Sequence, residues 1–505
     1  KEKSEISWRF RIFCLTLHSK SKRSQMTKTK REISNFMVTF PIHPNKETQH
    51  RIDHSLFLLT MHNNNVARKL LKKYQFLVKT KEYKALQTLK DKNKFWSEHG
   101  FSKFGFQRFF KSQKMYKNTL VNSVILRAQS ENLWSAFDKL LYGNTKKISF
   151  QQLNSLRFIN NVGLTFDFND NTFCFNIDKK NRISFKAKTD YEMMALKNYF
   201  QNTIIKKEII RGKPRYFLLF VFEGIPYNKG RKLGHNSVGI DPSQQKMFCA
   251  FSDGEFKEYN LIEGLEFETS KEKRMKKKLD RQRRAANPEV YKKDGSIDKK
   301  FFDEQKRLNR GRYPWKISKG YLKTKHELAD LSRKISVKRK INHFRLANEI
   351  LTHANNIIVE HNAWKQFTRR SSKTMLTKKG KCRSKKRFGR SVSQGAPSMF
   401  ITILENKSKN WKELSKFLKI TEYNGCTQFD HTVRDFNPEF SDIRKRKLVL
   451  GDGNIVHRDF HAAMNILFCQ NGNPEKTKSK GKDISHFCLE ELNNFYEKHK
   501  IKLAM

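Results

Sequence analysis

The sequence predicts a multidomain α/β protein: a β-barrel or sandwich with a helical lobe inserted in it, then an α/β half interrupted by long basic helices. Three observations lead there. At 505 residues the chain has room for roughly three domains, each able to bury its own core. Alternating β-rich segments occur at 33–42 and again at 157–230, with apolar residues at helical spacing between them. Beyond 235, short apolar strands alternate with helical stretches dense in Lys and Arg.

Residues 20–32 (KSKRSQMTKTKRE) are polar and basic, which predicts a flexible arm over 1–32, similar in composition to nuclear-localisation or nucleic-acid patches. Met26 precedes the first strand pattern, so residues 1–25 are expected to be a mobile extension or part of a longer reading frame. ISNFMVTFPI at 33–42 alternates as a strand does. From 53 to 145, LFLLT, NNVARKLLKKY and LVNSVILRAQSENLWSAFDKLL carry helical spacing. Strands return with FINNVGLTFDF, NTFCFNI, RISFKA and PRYFLLFVFEG.

NSVGIDPSQQKMFCAFSDGEFKEYNLI, 236–262, reads as a strand ending at Asp241, a Pro-containing turn, a second strand, a turn at Asp253-Gly254 and a third strand. KEKRMKKKLDRQRR, 271–284, has nine bases against two acids, and a second basic helical stretch runs from 318 to 350. Side by side, two such helices make a positive ridge that needs a counter-charge. ANNIIVEHNAW, 354–364, is an apolar strand ending on Glu360. Residues 368–390 hold eleven bases and no acid, which predicts a loop that orders on nucleic acid. SMFITILENKSKNWKELSKFL, 398–418, predicts an amphipathic helix with Ile401, Leu404 and Trp411 among its apolar positions, and FLKITEY a further strand.

The net charge of +56 is spread along the chain, and such a field repels itself unless a polyanion neutralises it. Nucleic acid is the partner this implies. A spanning helix is excluded, because no run of about 18 apolar residues exists. The 42 Phe and 6 Trp exclude a wholly disordered basic tail. Seven single, scattered cysteines point to a reducing compartment rather than a disulfide scaffold.

Against this basic background stand three acids in similar settings. Asp241 ends one apolar strand (VGID), Glu360 ends another (IIVE), and Asp459 opens a helical run in HRDFHAAMNIL. Each has an ordinary reading: Asp-Pro turn, strand-end surface acid, helix N-cap. Together they have a chemical one. Three carboxylates side by side repel, and Mg²⁺ is the hard cation that relieves them and supplies activated water. Two ions about 4 Å apart suit phosphodiester cleavage.

VGIDPS, IIVEHNAW and RDFHAAMNIL resemble the three RuvC motifs of TnpB, the transposon-associated RNA-guided nuclease, and of its eukaryotic and viral relatives, the Fanzor proteins. The resemblance is in the motifs and their order over 235–470, and in layout only over 33–230. It implies an RNase H-like RuvC nuclease domain in three pieces, 235–264, 346–420 and 454–475. A basic helical hairpin at 265–345 and a degenerate zinc-ribbon-like insertion at 421–453 separate them. A wedge β-barrel at 33–52 and 151–234 would carry a helical recognition lobe at 53–150, and 476–505 would be a basic tail. Asp241, Glu360 and Asp459 would be the catalytic, metal-binding acids, holding two Mg²⁺ ions with Mn²⁺ as a substitute.

The implied partners are a guide RNA (an omega RNA), one protein per guide, and target double-stranded DNA cut beside a short flanking motif. Arg274, Lys277, Arg281, Arg284, Arg369, Arg370, Lys385 and Arg387 are candidate nucleic-acid contacts. The alternatives are a catalytically silent guided repressor and a small Cas12-type effector. Location would be the nucleus for a eukaryotic or viral protein, otherwise the cytoplasm or nucleoid.

The sequence departs from the family at the ribbon. Cys426 stands at the first ligand position, but Phe429 replaces its partner, and Val449 and Asp452 replace the second pair. Cys426, His431, Asp452 and His457 are zinc-capable residue types, yet their spacing fits no standard pattern, so no structural zinc is expected. His461 stands where the family usually has Asn, which leaves the local hydrogen bonding open.

Overall fold

The computed structural model describes residues 35–111, 119–143, 145, 147–150, 152–159, 164–165, 172–176, 182–227, 230–292, 296–309, 312–362, 364–368, 388–421, 425–442, 445–469 and 484–504. They fall into two units, Lys1–Lys229 and Gly230–Met505.

The first unit opens on β1 (Asn35–Ile42), whose alternation buries Val38, Phe40 and Ile42. Asn45 then caps α1 (Lys46–Leu77) by accepting the Thr48 backbone N–H at 2.8 Å. The cap starts the helix inside the 33–52 range expected for the barrel. Helices α2 (Lys81–Ala85), α3 (Leu89–Glu98), α4 (Lys103–Lys111) and α5 (Ser123–Leu141) follow. Next come β2 (Ser155–Ile159), β3 (Leu164–Thr165), β4 (Thr172–Asn176), β5 (Arg182–Lys186), α6 (Asp190–Leu196), β6 (Phe200–Ile210) and β7 (Lys213–Glu223). One sheet runs β1-β7-β6-β2 and another β3-β4-β5. β1 therefore pairs with β7 across the helices between them. Phe40 joins the two sheets, its ring 5.0 Å from Phe185 and 5.8 Å from Phe220. β6 is an addition to the strands expected here. It turns into β7 through Arg211 and Gly212, both at positive φ (51° and 77°), the two-residue hairpin turn that suits strand twist.

The second unit begins with β8 (Asn236–Pro242), β9 (Lys246–Phe251) and β10 (Phe256–Asn260), then α7 (Glu266–Ala286), α8 (Lys299–Leu308) and α9 (Lys319–His353). β11 (Ala354–His361), α10 (Trp364–Thr368), α11 (Gly389–Gly395), α12 (Pro397–Lys409) and β12 (Lys416–Thr421) follow. Two small hairpins, β13 (Phe429–Asp430) with β14 (Asp435–Phe436) and β15 (Lys447–Val449) with β16 (Ile455–His457), lead to α13 (Arg458–Leu467) and α14 (Leu489–Leu503). The main sheet has the order β10-β9-β8-β11-β12. β8, β11 and β12 run parallel, whereas β9 and β10 are antiparallel. The chain builds the sheet to one side of β8 and then returns to build the other side, so the topological switch lies between β8 and β11.

Side-chain alternation divides this sheet into two faces. Val238, Ile240, Met247, Cys249, Ile357 and Val359 pack with α9 and α12. Phe248, Ala250, Ile358 and Ile420 pack with α13 and α14 on the other face. The predicted helix over 398–418 ends at Lys409, leaving Trp411 outside it. Ser415 bonds to Ser408 at 2.6 Å and donates to Asn355 O at 2.9 Å, which turns the chain into β12 beside β11.

α7 and α9 lie antiparallel. Glu268 pairs with Lys338, Glu272 accepts from Ser332 at 3.1 Å, and Gln282 sits beside Gly320. No helix among the described residues is long and apolar enough to cross a membrane.

Candidate active site

The parallel register of β8 and β11 runs to Ile240 opposite Val359, and the next residues along are Asp241 and Glu360. Both acids therefore end neighbouring strands at the switch point, where open α/β sheets bind ligands. Alternation places them on the same face as Gly239 and Ile358, the face that α13 covers. Gly239 sets how closely the helix approaches. A Cβ there would lie 2.2 Å from Ala463 O and 2.4 Å from Leu467 N, so only glycine lets the backbones meet. Ala462 and Ala463, both fully buried, keep the helix side of the contact equally thin. Together these small residues bring the first turn of α13, with Asp459, towards the carboxyl end of β8.

Asp459 is not the N-cap. His457 holds that position without a side-chain cap bond, and Asp459 lies within the first turn, 3% exposed. Its partners are arginines. Arg446 Nη1 donates to Oδ2 at 2.5 Å, while Arg458 donates to Oδ1 from Nε at 3.0 Å and from Nη2 at 2.6 Å. Arg458 also donates to Asp442 O at 3.2 Å, which anchors it. Burial and the neighbouring Asp459 charge push Asp241 up to about 7, against the pull of Arg458 and Arg446. Glu360 is buried, 7% exposed. Hydrogen-bonded to Cys469 and buried, the Cys426 thiol is pushed further up by the Glu360 and Asp241 charges, which places the thiol within the field of both acids.

Asn465, inside the apolar run of α13, donates to Cys426 O at 2.9 Å and Phe429 O at 2.8 Å, so the helix also fixes this loop. The residues considered for zinc each have other company. Cys426 shares a thiol hydrogen bond with Cys469, both free cysteines, Asp452 accepts from Tyr496 at 2.8 Å, and His457 packs on Phe460. His431 meets His461, ring nitrogens 3.3 Å apart. Phe429 stacks on Phe487 at 4.1 Å, an apolar contact in a ligand's position. Burial pushes His431 and His461 down to about 4 and about 3.

Three carboxylates, one of them pushed up by burial and by the charge of another, suit a divalent cation, since such an ion relieves like-charge repulsion. The three carboxylates do not gather as tightly as Asp253, Glu255 and His353, whose ligand atoms lie within 4.8 Å of one another among the described residues. Of the candidate nucleic-acid contacts, Arg274, Lys277, Arg281 and Arg284 form an exposed stripe on α7, on the side away from Glu268, Glu272 and Gln282 that face α9. Arg369, Arg370, Lys385 and Arg387 lie outside the described residues. Sequence reasoning missed Gly239, Arg446 and Asn465. A glycine inside an apolar strand and an Asn inside an apolar helix are the signals that would have marked two of them.

No family model matches the chain, and no curated protein matches it. Solved structures similar to it include a Cas12f1–sgRNA–target DNA complex at 13% identity and TM-score 0.43, covering 88% of this chain and 99% of that one. The mini RNA-guided endonuclease CRISPR-Cas_phi3 is similar at 9% identity and TM-score 0.36, covering 87% and 92%. An AacC2c1–sgRNA–extended non-target DNA ternary complex follows at 9% identity and TM-score 0.30, covering 83% and 68%.

Proposed function

We propose that this chain is an RNA-guided DNA endonuclease with a single RNase H-like, RuvC-type site formed by Asp241, Glu360 and Asp459. One observation carries the reading: Asp241 and Glu360 end adjacent parallel strands at the switch point, under the helix whose first turn holds Asp459. The resemblance of the three motifs to those of TnpB and Fanzor proteins supports it. Magnesium ions held there, with manganese as a substitute, would supply an activated water and charge neutralisation at the leaving oxygen. The chain's own contribution is positional. The sheet register aligns two carboxylates, Gly239 admits the third, and Arg458 keeps Asp459 oriented.

In this reading the α7 stripe holds nucleic-acid backbone, as Arg369, Arg370, Lys385 and Arg387 do by their charge, while base pairing by a guide RNA carries sequence specificity. The target is duplex DNA beside a short flanking motif, one protein serves one omega RNA, and the guide comes from a transposable element. The lost ribbon cysteines and basic arm support a Fanzor-like member acting in a nucleus over TnpB or a small Cas12-type effector. Sequencing the RNA that co-purifies with the protein separates these relatives.

A second reading, guided binding without cleavage, is favoured by the arginines on both Asp459 oxygens. Mg²⁺-dependent cleavage of a guide-matched duplex, with binding measured in parallel, decides between them. The endonuclease reading expects cleavage by the parent and loss by orders of magnitude in Asp459→Asn with binding retained. A parent that binds and never cuts makes the silent reading correct.

A further inference from the structure

We propose that Arg446 is a displaceable latch on the metal site: its guanidinium occupies Asp459 Oδ2 in place of a divalent cation and is drawn off by a nucleic-acid phosphate. The inference rests on the metal reading above and deepens it. The two arginines on Asp459 are built differently. Arg458 is 10% exposed, spans Oδ1 with two donors and is tied to Asp442 O, so it is a fixed part of the site. Arg446 is 60% exposed and reaches Oδ2 with one donor.

The backbone that follows Arg446 is held. Its carbonyl accepts the Arg458 N–H at 2.9 Å, and the next residue, Lys447, pairs with His457 in the β15–β16 hairpin. The side chain can therefore swing about a held backbone without unfolding anything. A guanidinium and a divalent cation on the same carboxylate oxygen repel each other and crowd one position, so the two compete. A phosphate accepts guanidinium in the same charge-assisted geometry as a carboxylate, and offers Arg446 an equivalent partner outside the site. Cation binding would then be weak until substrate backbone arrives, which keeps an idle nuclease from cutting.

The test is Mn²⁺ binding to the full chain, read from the free-Mn²⁺ EPR signal, with and without a single-stranded phosphorothioate oligodeoxynucleotide that resists cleavage. Arg446→Gln should bind Mn²⁺ on the order of tenfold more tightly than the parent without DNA, the scale of one charge-assisted hydrogen bond. The oligonucleotide should tighten Mn²⁺ binding in the parent and leave Arg446→Gln nearly unchanged. Lys447→Gln removes the same charge from a neighbouring exposed side chain and should behave as the parent. Equal tightening in Lys447→Gln, or no tightening in Arg446→Gln, overturns the latch. Asp459→Asn separates the two levels of the argument. With Asp253→Ala present throughout to silence the Asp253/Glu255/His353 cluster, loss of Mn²⁺ binding in Asp459→Asn while Arg446→Gln has no effect means only the latch fails; Mn²⁺ binding that survives Asp459→Asn means the metal reading fails.

Discussion

Two acidic groups in the second unit invite comparison, Asp241/Glu360/Asp459 and Asp253/Glu255/His353. The second is the tighter by distance. His353 Nε2 lies 2.7 Å from Asp253 Oδ2, and Nδ1 lies 3.2 Å from Glu255 Oε2. It sits at the other end of the sheet, where the β9–β10 turn meets the end of α9, and Asp253 is exposed. Although burial opposes it, the bonds from His353 and the Glu255 backbone hold the Asp253 carboxyl below its usual range. Its charge is already answered. In the first group Asp241 is instead pushed up to about 7 by burial and by Asp459. Ligand proximity measures how well a cluster satisfies itself. The unrelieved charge of a looser cluster is the better mark of a place built for something else.

The largest test of that contrast is cleavage. Asp241→Ala and Glu360→Ala should each abolish Mg²⁺-dependent cutting by orders of magnitude, and the double variant should be little worse, because ligands of one centre fail together. Asp253→Ala and Glu255→Ala should cut within a few-fold of the parent. A reversal of this order would make the tighter cluster the active one.

Binding should be indifferent to both clusters and governed by phosphate contacts. Affinity of the guide-bound protein for DNA should drop by orders of magnitude between about 50 and 200 mM salt. Changing Arg274, Lys277, Arg281 and Arg284 to Gln should lower the log–log salt slope by up to about 3.6. A flat salt response in the parent would end the model of a basic channel.

Gly239→Ala bears on the first group alone. Its Cβ cannot fit beneath Ala463 and Leu467, so stability should fall by about 1–3 kcal/mol in a urea melt, and cleavage should fall further as Asp459 shifts. Unchanged stability would show that α13 rests less closely on β8.

The smallest expected effect is a pH signature in chelator-treated protein. Burial and the Asp459 charge push the folded Asp241 carboxyl up to about 7, above the ordinary range it regains on unfolding, so the folded state holds a proton the unfolded state releases. The penalty grows as pH rises from about 4 to about 7 and is complete above that. Asp241→Asn removes it, and should raise the melting temperature at pH 8 by more than at pH 5. A pH-independent shift would remove the charge-repulsion argument.

Much of the second unit was legible because its signals are local. VGID and IIVE read as buried strands from a few consecutive apolar residues, and 271–284 and 318–350 read as helices from spacing. The first unit was less so. β6 carries charged residues in NTIIKKEII that hide its alternation, and Asn45 starts a helix where the apolar pattern suggested the end of a barrel piece.

By itself the sequence determined that three acids would stand at the ends of three elements in a chain of +56 net charge, because element ends follow from runs of side chains next to one another. The tertiary structure alone decided what those acids face. Asp241 and Glu360 become neighbours through the β8–β11 register, and Asp459, with His457 at the cap, is held instead by a pair of arginines, one of them thirteen residues earlier in the chain. Such relations depend on how closely backbones approach and which charges share a desolvated space. Residue spacing along a chain carries no term for either.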